Sequence, residues 1–140
     1  MNKSKPVIAV VDDEKEFCSV LAKLFQKRDI PVSFIAYDYQ EALSKWGAAD
    51  PKPDIIILDH RLQYAEGVDL MRKMLMTNSS TKAMFLSSDV DAMKEAYEAG
   101  AVLFLKKPVS IKTITDAIDI VHNNQGKYEY DGYRFSKYTV

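Results

Sequence analysis

The chain has few of the residues that build cross-linked or metal-clamped scaffolds. Its one cysteine, Cys18, rules out an internal disulfide and fits a reducing compartment. Two histidines in 140 residues do not make a zinc site. No apolar run approaches the roughly 18 residues a membrane helix needs. The basic start Met1-Asn2-Lys3-Ser4-Lys5-Pro6 leads only into Val7 to Val11 before Asp12, too short and too soon acidic for a signal peptide. The first apolar run opens into Asp-Asp-Glu and not a glycine-rich turn, which excludes a dinucleotide or flavin loop there. Neither sign of charge is in excess: 19 basic against 20 acidic residues, net −1, give no pull toward nucleic acid or an anionic membrane. What remains is an ordinary globular composition, 47% apolar and 28% charged, at a length one domain can fill. The expectation is a small cytoplasmic protein.

The centre of what is present is Pro53-Asp54-Ile55-Ile56-Ile57-Leu58-Asp59. Four consecutive large apolar residues, three of them β-branched, read as a strand buried on both faces, and they run straight into a carboxylate. Val7 to Val11 is a second such run, ending in Asp12-Asp13-Glu14. Phe17, Val20, Leu21, Leu24 and Phe25 then recur at helical spacing, with Lys27-Arg28 in the last turn and Pro31 as the break. Val32 to Ala36 reads as a strand, and Asp38 as the cap of a helix carrying Tyr39, Leu43 and Trp46. Gly67 precedes a helix with Leu70, Met71, Met74 and Leu75 inward, and Met76 is grouped with its packing methionines. Ala83 to Leu86 forms a fourth strand before Ser87-Ser88, and Asp89 or Asp91 opens a helix with Met93, Ala96 and Tyr97, closed by Gly100. Ala101 to Leu105 is a fifth strand, stopped by Lys106-Lys107-Pro108, and Ser110 caps a last helix with Ile111, Ile114, Ile118 and Val121 in register. Five strand-helix units predict an α/β fold: a doubly wound parallel sheet with right-handed crossovers and helices on both faces.

In such a sheet, chemistry collects beyond the carboxyl ends of the strands. Asp12 and Asp13 end the first strand, Asp59 the third, Ser87 the fourth and Lys107 the fifth. Clustered carboxylates repel one another unless a cation sits among them. A hard divalent ion with oxygen ligands, most simply Mg²⁺, resolves that conflict. A carboxylate beside it can act as a nucleophile toward phosphorus, while an ammonium and a hydroxyl hold the transferring oxygens.

The runs Val10-Val11-Asp12-Asp13-Glu14, Ile56-Ile57-Leu58-Asp59 with Gly67, Phe85-Leu86-Ser87-Ser88, Gly100-Ala101 and Phe104-Leu105-Lys106-Lys107-Pro108 occur in order across residues 7–123. In this arrangement the chain resembles the receiver domain of two-component response regulators, the CheY-like family. The resemblance implies a flavodoxin-like (βα)5 fold with strand order 2-1-3-4-5, and a signalling switch that catalyses only its own phosphorylation and dephosphorylation. It implies Asp59 as the phosphoacceptor, served by a sensor histidine kinase or a phosphotransfer protein. Asp13 and Asp59 would hold Mg²⁺ with the backbone carbonyl of Arg61, Asp12 acting through a metal-bound water. Lys107 would pair with the acceptor, its bond to Pro108 often being cis in this family. Ser87 matches the switch hydroxyl and Phe104 the switch aromatic. Arg61 and Asp89 match positions that tune dephosphorylation. The face formed by the fourth helix, fifth strand and fifth helix would shift between two packings to control an effector or a fused output domain, with self-association as a further use of that face.

Gln63 departs from the proline common four residues after the acceptor, which loosens expectations for that loop. Two rivals stand beside the switch. A Mg²⁺-dependent phosphohydrolase with a nucleophilic Asp would want a second acid where Arg61 stands, and a phosphorylation-independent pseudo-receiver would not need the full acidic set. His60 is expected to face away from the acceptor, and Cys18 to be inert. Residues 1–125 read as the receiver. Residues 126–140 are aromatic-rich and alternate on either side of Asp131-Gly132, which predicts a tight hairpin or else a disordered tail or the start of a linker. With no output domain after the last helix, the sequence reads as a stand-alone regulator or an excised domain.

Overall fold

The apolar runs become the strands of one parallel sheet in the computed structural model, which describes residues 5–62 and 65–139. The strands are β1 (Ile8–Val11), β2 (Val32–Ala36), β3 (Ile55–Asp59), β4 (Lys82–Ser87) and β5 (Leu103–Lys106). Their spatial order is β2-β1-β3-β4-β5, the order 2-1-3-4-5 expected of the flavodoxin-like fold. Every residue of β1 and β3 is buried, because helices cover both faces of these inner strands. Alternation divides the core in two. Ala9, Val11, Ile56, Leu58, Phe85 and Phe104 face α2 (Tyr39–Ala48), α3 (Gly67–Thr77) and α4 (Met93–Glu98). Ile8, Val10, Ile55, Ile57, Met84, Leu86 and Leu105 face α1 (Lys15–Lys27) and α5 (Ile111–Asn123).

The helix punctuation follows the sequence signals. Asp38 accepts the backbone N–H of Glu41 at 2.7 Å and Ser110 that of Thr113 at 3.0 Å, so α2 and α5 start on satisfied donors. A 3₁₀ turn (Val90–Ala92), capped by Asp89, leads into the six-residue α4. At the other end of α4, Gly100 takes φ +121°. Its N–H reaches Tyr97 O at 3.1 Å and that of Ala101 reaches Ala96 O at 3.0 Å, the paired bonds of a Schellman cap.

Two packing assignments are corrected. The buried face of α1 is Cys18, Leu21 and Phe25, while Val20 is 48% exposed. Val20 precedes Leu21 by one residue, about 100° around the helix and off the centre of the buried stripe. Met71 and Met74 are buried, whereas Met76, two residues on and about 200° around, projects into solvent.

The C-terminal segment is a hairpin of β6 (Tyr128–Tyr130) and β7 (Phe135–Lys137), with Tyr130 opposite Phe135. Its turn is longer than the tight one that Asp131-Gly132 suggests. The loop is Asp131 to Arg134, and the Asp131 carboxylate accepts the N–H groups of Tyr133 and Arg134 at 2.8 and 2.9 Å. An aspartate that can bond its own backbone two and three residues on favours this wider loop.

Candidate functional site

The strand order brings four strand ends to one edge. Val11 lies opposite Leu58, Asp59 opposite Leu86, and Ser87 opposite Lys106, so each chemistry-bearing residue follows a neighbour already fixed in the ladder. Two backbone bonds tie the ends together: His60 N–H to Leu86 O at 2.9 Å, and Lys107 N–H to Ser87 O at 2.8 Å. The Lys107–Pro108 peptide is cis, as is Asp50–Pro51. Before α3 a small antiparallel ribbon, Arg61–Leu62 against Ala65–Glu66, brings the chain back over Asp59. Gly67 can sit there because it lacks a side chain. A Cβ at that position would lie 2.2 Å from the Asp59 carbonyl oxygen and 3.2 Å from Phe85 Cζ.

Asp12, Asp13 and Asp59 each offer a carboxylate oxygen, and the three lie within 4.8 Å of one another. Lys107 Nζ is 3.1 Å from Asp59 Oδ1, 3.4 Å from Asp12 Oδ2 and 3.3 Å from Glu14 Oε1. Asp12 is 2% exposed and Asp59 8%, while Asp13 is open to solvent. Burial, then the nearby Asp12 charge, raise Asp59 from 3.8 to about 6, against the pull of Lys107. Burial also raises Asp12, opposed by the Glu14 N–H it accepts and by Lys107. Lys107 is pulled down by burial, but the carboxylates of Asp59 and Asp12 outweigh that and hold it above its usual value. One ammonium therefore leaves the acidic cluster short of positive charge. Three hard oxygen donors at this separation suit a divalent cation with oxygen ligands.

A cleft of about 210 Å³ opens over this cluster, bordered by Asp13, Asp59, Arg61, Ser87, Asp89 and Lys107. Ser87 is buried at its edge, with Oγ accepting the Asp89 N–H at 2.9 Å; Ser88 is exposed. Phe104 is not part of this cleft. It is buried on the α4 side of the sheet and lines a separate cavity of about 530 Å³ with Val90, Met93 and Tyr130. Gln63 lies outside the described residues. His60 is buried edge-on to Phe85, ring centroids 5.9 Å apart, and also borders the cleft; among the described residues its Nδ1 has no hydrogen-bond partner. Cys18 is buried, its thiol pushed up to about 12 by burial and then by Asp12, in keeping with an inert thiol. Glu14 is the site residue that sequence reasoning left unassigned. It continues the Asp12-Asp13 run, and only the placement of Lys107 shows that it shares that ammonium.

An open five-stranded parallel sheet with an acid cluster and a lysine at its carboxyl edge defines a flavodoxin-like α/β protein of the CheY-like kind. The chain belongs to the response regulator receiver domain family of two-component systems, whose family model matches residues 8–119. It is 33% identical over 119 residues to the transcriptional regulatory protein LnrK of Bacillus subtilis, covering 83% of this chain and 53% of LnrK, so it spans about half that relative's length. It is 25% identical over 113 residues to the sporulation initiation phosphotransferase F of the same organism, covering 79% of this chain and 89% of that protein. Among solved structures, the receiver domain of the Francisella response regulator 1452 superposes with a TM-score of 0.74 at 25% identity, covering 84% of this chain and 97% of that one. A LuxR-family response regulator from Aurantimonas shares the fold at a TM-score of 0.78 and 21% identity, covering 92% and 91%. No helix among the described residues is long and apolar enough to cross a membrane.

Proposed function

We propose that the chain is a phosphoacceptor switch in which Asp59 takes a phosphoryl group from a phosphohistidine on a sensor histidine kinase or phosphotransfer protein. The observation that carries this reading is the single ammonium of Lys107 held 3.1 Å from Asp59 in a cleft that Ser87 also borders. An Asp59 carboxylate oxygen bonds to phosphorus as the bond from phosphorus to the donor breaks, and the electron pair leaves with the donor. Lys107 then neutralises a phosphoryl oxygen, and the Ser87 hydroxyl donates to another. Asp12, Asp13 and Asp59, with the Arg61 backbone carbonyl, would hold Mg²⁺; when bound it supplies positive charge to the oxygens in transfer. Arg61 and Asp89 at the cleft mouth tune how water reaches the acyl phosphate. Phe104 answers the Ser87 movement on the α4–β5–α5 side, which is how the state of Asp59 reaches an effector or a fused output domain. Residues 1–125 form the receiver, working in the cytoplasm, and residues 126–140 are an addition to it.

Intact mass after incubation with acetyl phosphate and Mg²⁺ tests the reading. A single phosphoryl adduct that requires the metal and is absent in Asp59→Asn supports it. Mg²⁺ binding without an adduct from any donor, cognate kinase included, would replace it with a phosphorylation-independent interaction module.

A further inference from the structure

We propose that the β6–β7 hairpin is a strap clasped onto the outer edge of β5 by Tyr97, and that it lets go when Asp59 is phosphorylated; the second half rests on the acceptor reading above. β5 is the last strand of the sheet, and an edge strand leaves a row of backbone groups without partners. Here one of them, the Phe104 N–H, is taken, as is the Val102 carbonyl just before the strand. The Tyr97 hydroxyl, on α4, accepts the Phe104 N–H at 3.1 Å and donates to the Tyr128 carbonyl. The Tyr128 N–H donates to Val102 O at 2.8 Å, and the Lys127 ammonium to Tyr97 O at 2.6 Å. The Tyr138 ring stacks on the Tyr97 ring, centroids 3.7 Å apart and planes 12° from parallel. Tyr128, Tyr130 and Phe135 pack against the α1–α5 half of the core, and Tyr138 against the other half, so the strap grips the edge from both faces. A linker with no docking role would not bury a tyrosine hydroxyl between two backbone partners.

Both jaws of the clasp grow out of the cleft. α4 follows the turn in which Ser87 Oγ holds the Asp89 N–H and Asp89 caps the 3₁₀ segment, and β5 runs directly into Lys107. A Ser87 hydroxyl that swings toward a phosphoryl oxygen abandons Asp89 and loosens the start of α4. That helix has six residues behind a 3₁₀ lead, too few internal bonds to absorb the shift, so Tyr97 moves with it. The cavity of about 530 Å³ between Phe104, Val90, Met93 and Tyr130 gives Phe104 and α4 room to repack beneath the hairpin. That cavity opens to solvent, and repacking into it withdraws the surface on which the hairpin rests.

Amide hydrogen exchange on the full chain tests the strap. Without phosphodonor, the Tyr128 amide should be protected, and Tyr97→Phe, which keeps the ring but removes the hydroxyl, should speed its exchange ~tenfold. Rapid exchange of Tyr128 in the unmodified protein overturns the strap. With Mg²⁺ and acetyl phosphate, and the adduct verified by intact mass, Tyr128 should exchange ~tenfold faster while amides of β3 stay protected. An adduct with unchanged Tyr128 exchange overturns the coupling alone. No adduct under any donor overturns the coupling together with the acceptor reading, leaving the docked strap to stand on its own protection.

Discussion

Asp59 and Tyr97 are both buried polar side chains, and they are treated in opposite ways. Asp59 sits beside Asp12 and Asp13 with one shared ammonium, and burial holds its proton on to about pH 6. Tyr97 has its hydroxyl used in both directions and its ring stacked, so little about it is unsatisfied. The carboxyl edge of the sheet therefore holds unrelieved negative charge, whereas the outer edge of β5 is covered in part by the hairpin. The lesson is that burial alone does not mark a working residue. A buried acid in a cluster short of positive charge is the stronger candidate.

The sharpest break in this comparison comes from emptying the Tyr97 side. Tyr97→Ala removes a fully buried ring and both hydrogen bonds of its hydroxyl, and should cost about 3 kcal/mol in urea unfolding, with the hairpin detached. Next comes the strained approach above the site. Gly67→Ala puts a methyl 2.2 Å from the Asp59 carbonyl, so α3 or β3 must move, at a cost of about 2 kcal/mol, and phosphoryl uptake should fall with it. A Gly67→Ala protein as stable and as reactive as the parent would show that the ribbon before α3 yields freely.

Asp59→Asn acts in the other direction. The folded value of about 6 lies above the ordinary 3.8, so the folded state binds this proton more tightly than the unfolded chain does. The stability this group contributes is complete below about pH 4 and is lost as pH rises through 6. Asparagine has no such loss. In chelator, the variant should match or trail the parent near pH 4 and exceed it by on the order of 1 kcal/mol at pH 7, measured by denaturant titration at both values. Adding Mg²⁺ should raise the parent's stability and do much less for the variant, narrowing the gap. A gap that ignores both pH and metal would mean that Asp59 carries no unrelieved charge.

Much of the site was legible because it is written in strand ends. Asp12, Asp13, Asp59, Ser87 and Lys107 each close an apolar run, and a parallel sheet of order 2-1-3-4-5 sends all such ends to one edge. The sharing of Lys107 by Glu14 was not legible, since it depends on side-chain reach across 93 residues of chain. Val20 was misplaced for a related reason: five apolar positions fit the helical template, but Leu21 and Phe25 are buried, Phe17 and Leu24 lie at the margin of the stripe, and Val20 falls outside it. The clasp was the least visible. Tyr97 reads as one more inward residue of a short helix, and nothing local says that its hydroxyl reaches a backbone carbonyl 31 residues later.

The smallest effect expected lies at the mouth of the cleft. Arg61 and Asp89 both border it, beside Asp59, and their opposite charges can order the water that would attack an acyl phosphate. Neither is needed to form the adduct, so Arg61→Ala and Asp89→Ala should each accept phosphoryl groups and differ from the parent by a few-fold in adduct lifetime. If the two act on the same water, the double variant should resemble one of the singles, a coupling of about 0.5–1 kcal/mol. Adduct decay followed by intact mass for the four proteins gives that coupling directly. Lifetimes that simply multiply would mean that each side chain meets water alone. The reserve of charge at Asp59 would then be released by buried Asp12 and Ser87 and half-buried Lys107, without a gate at its mouth.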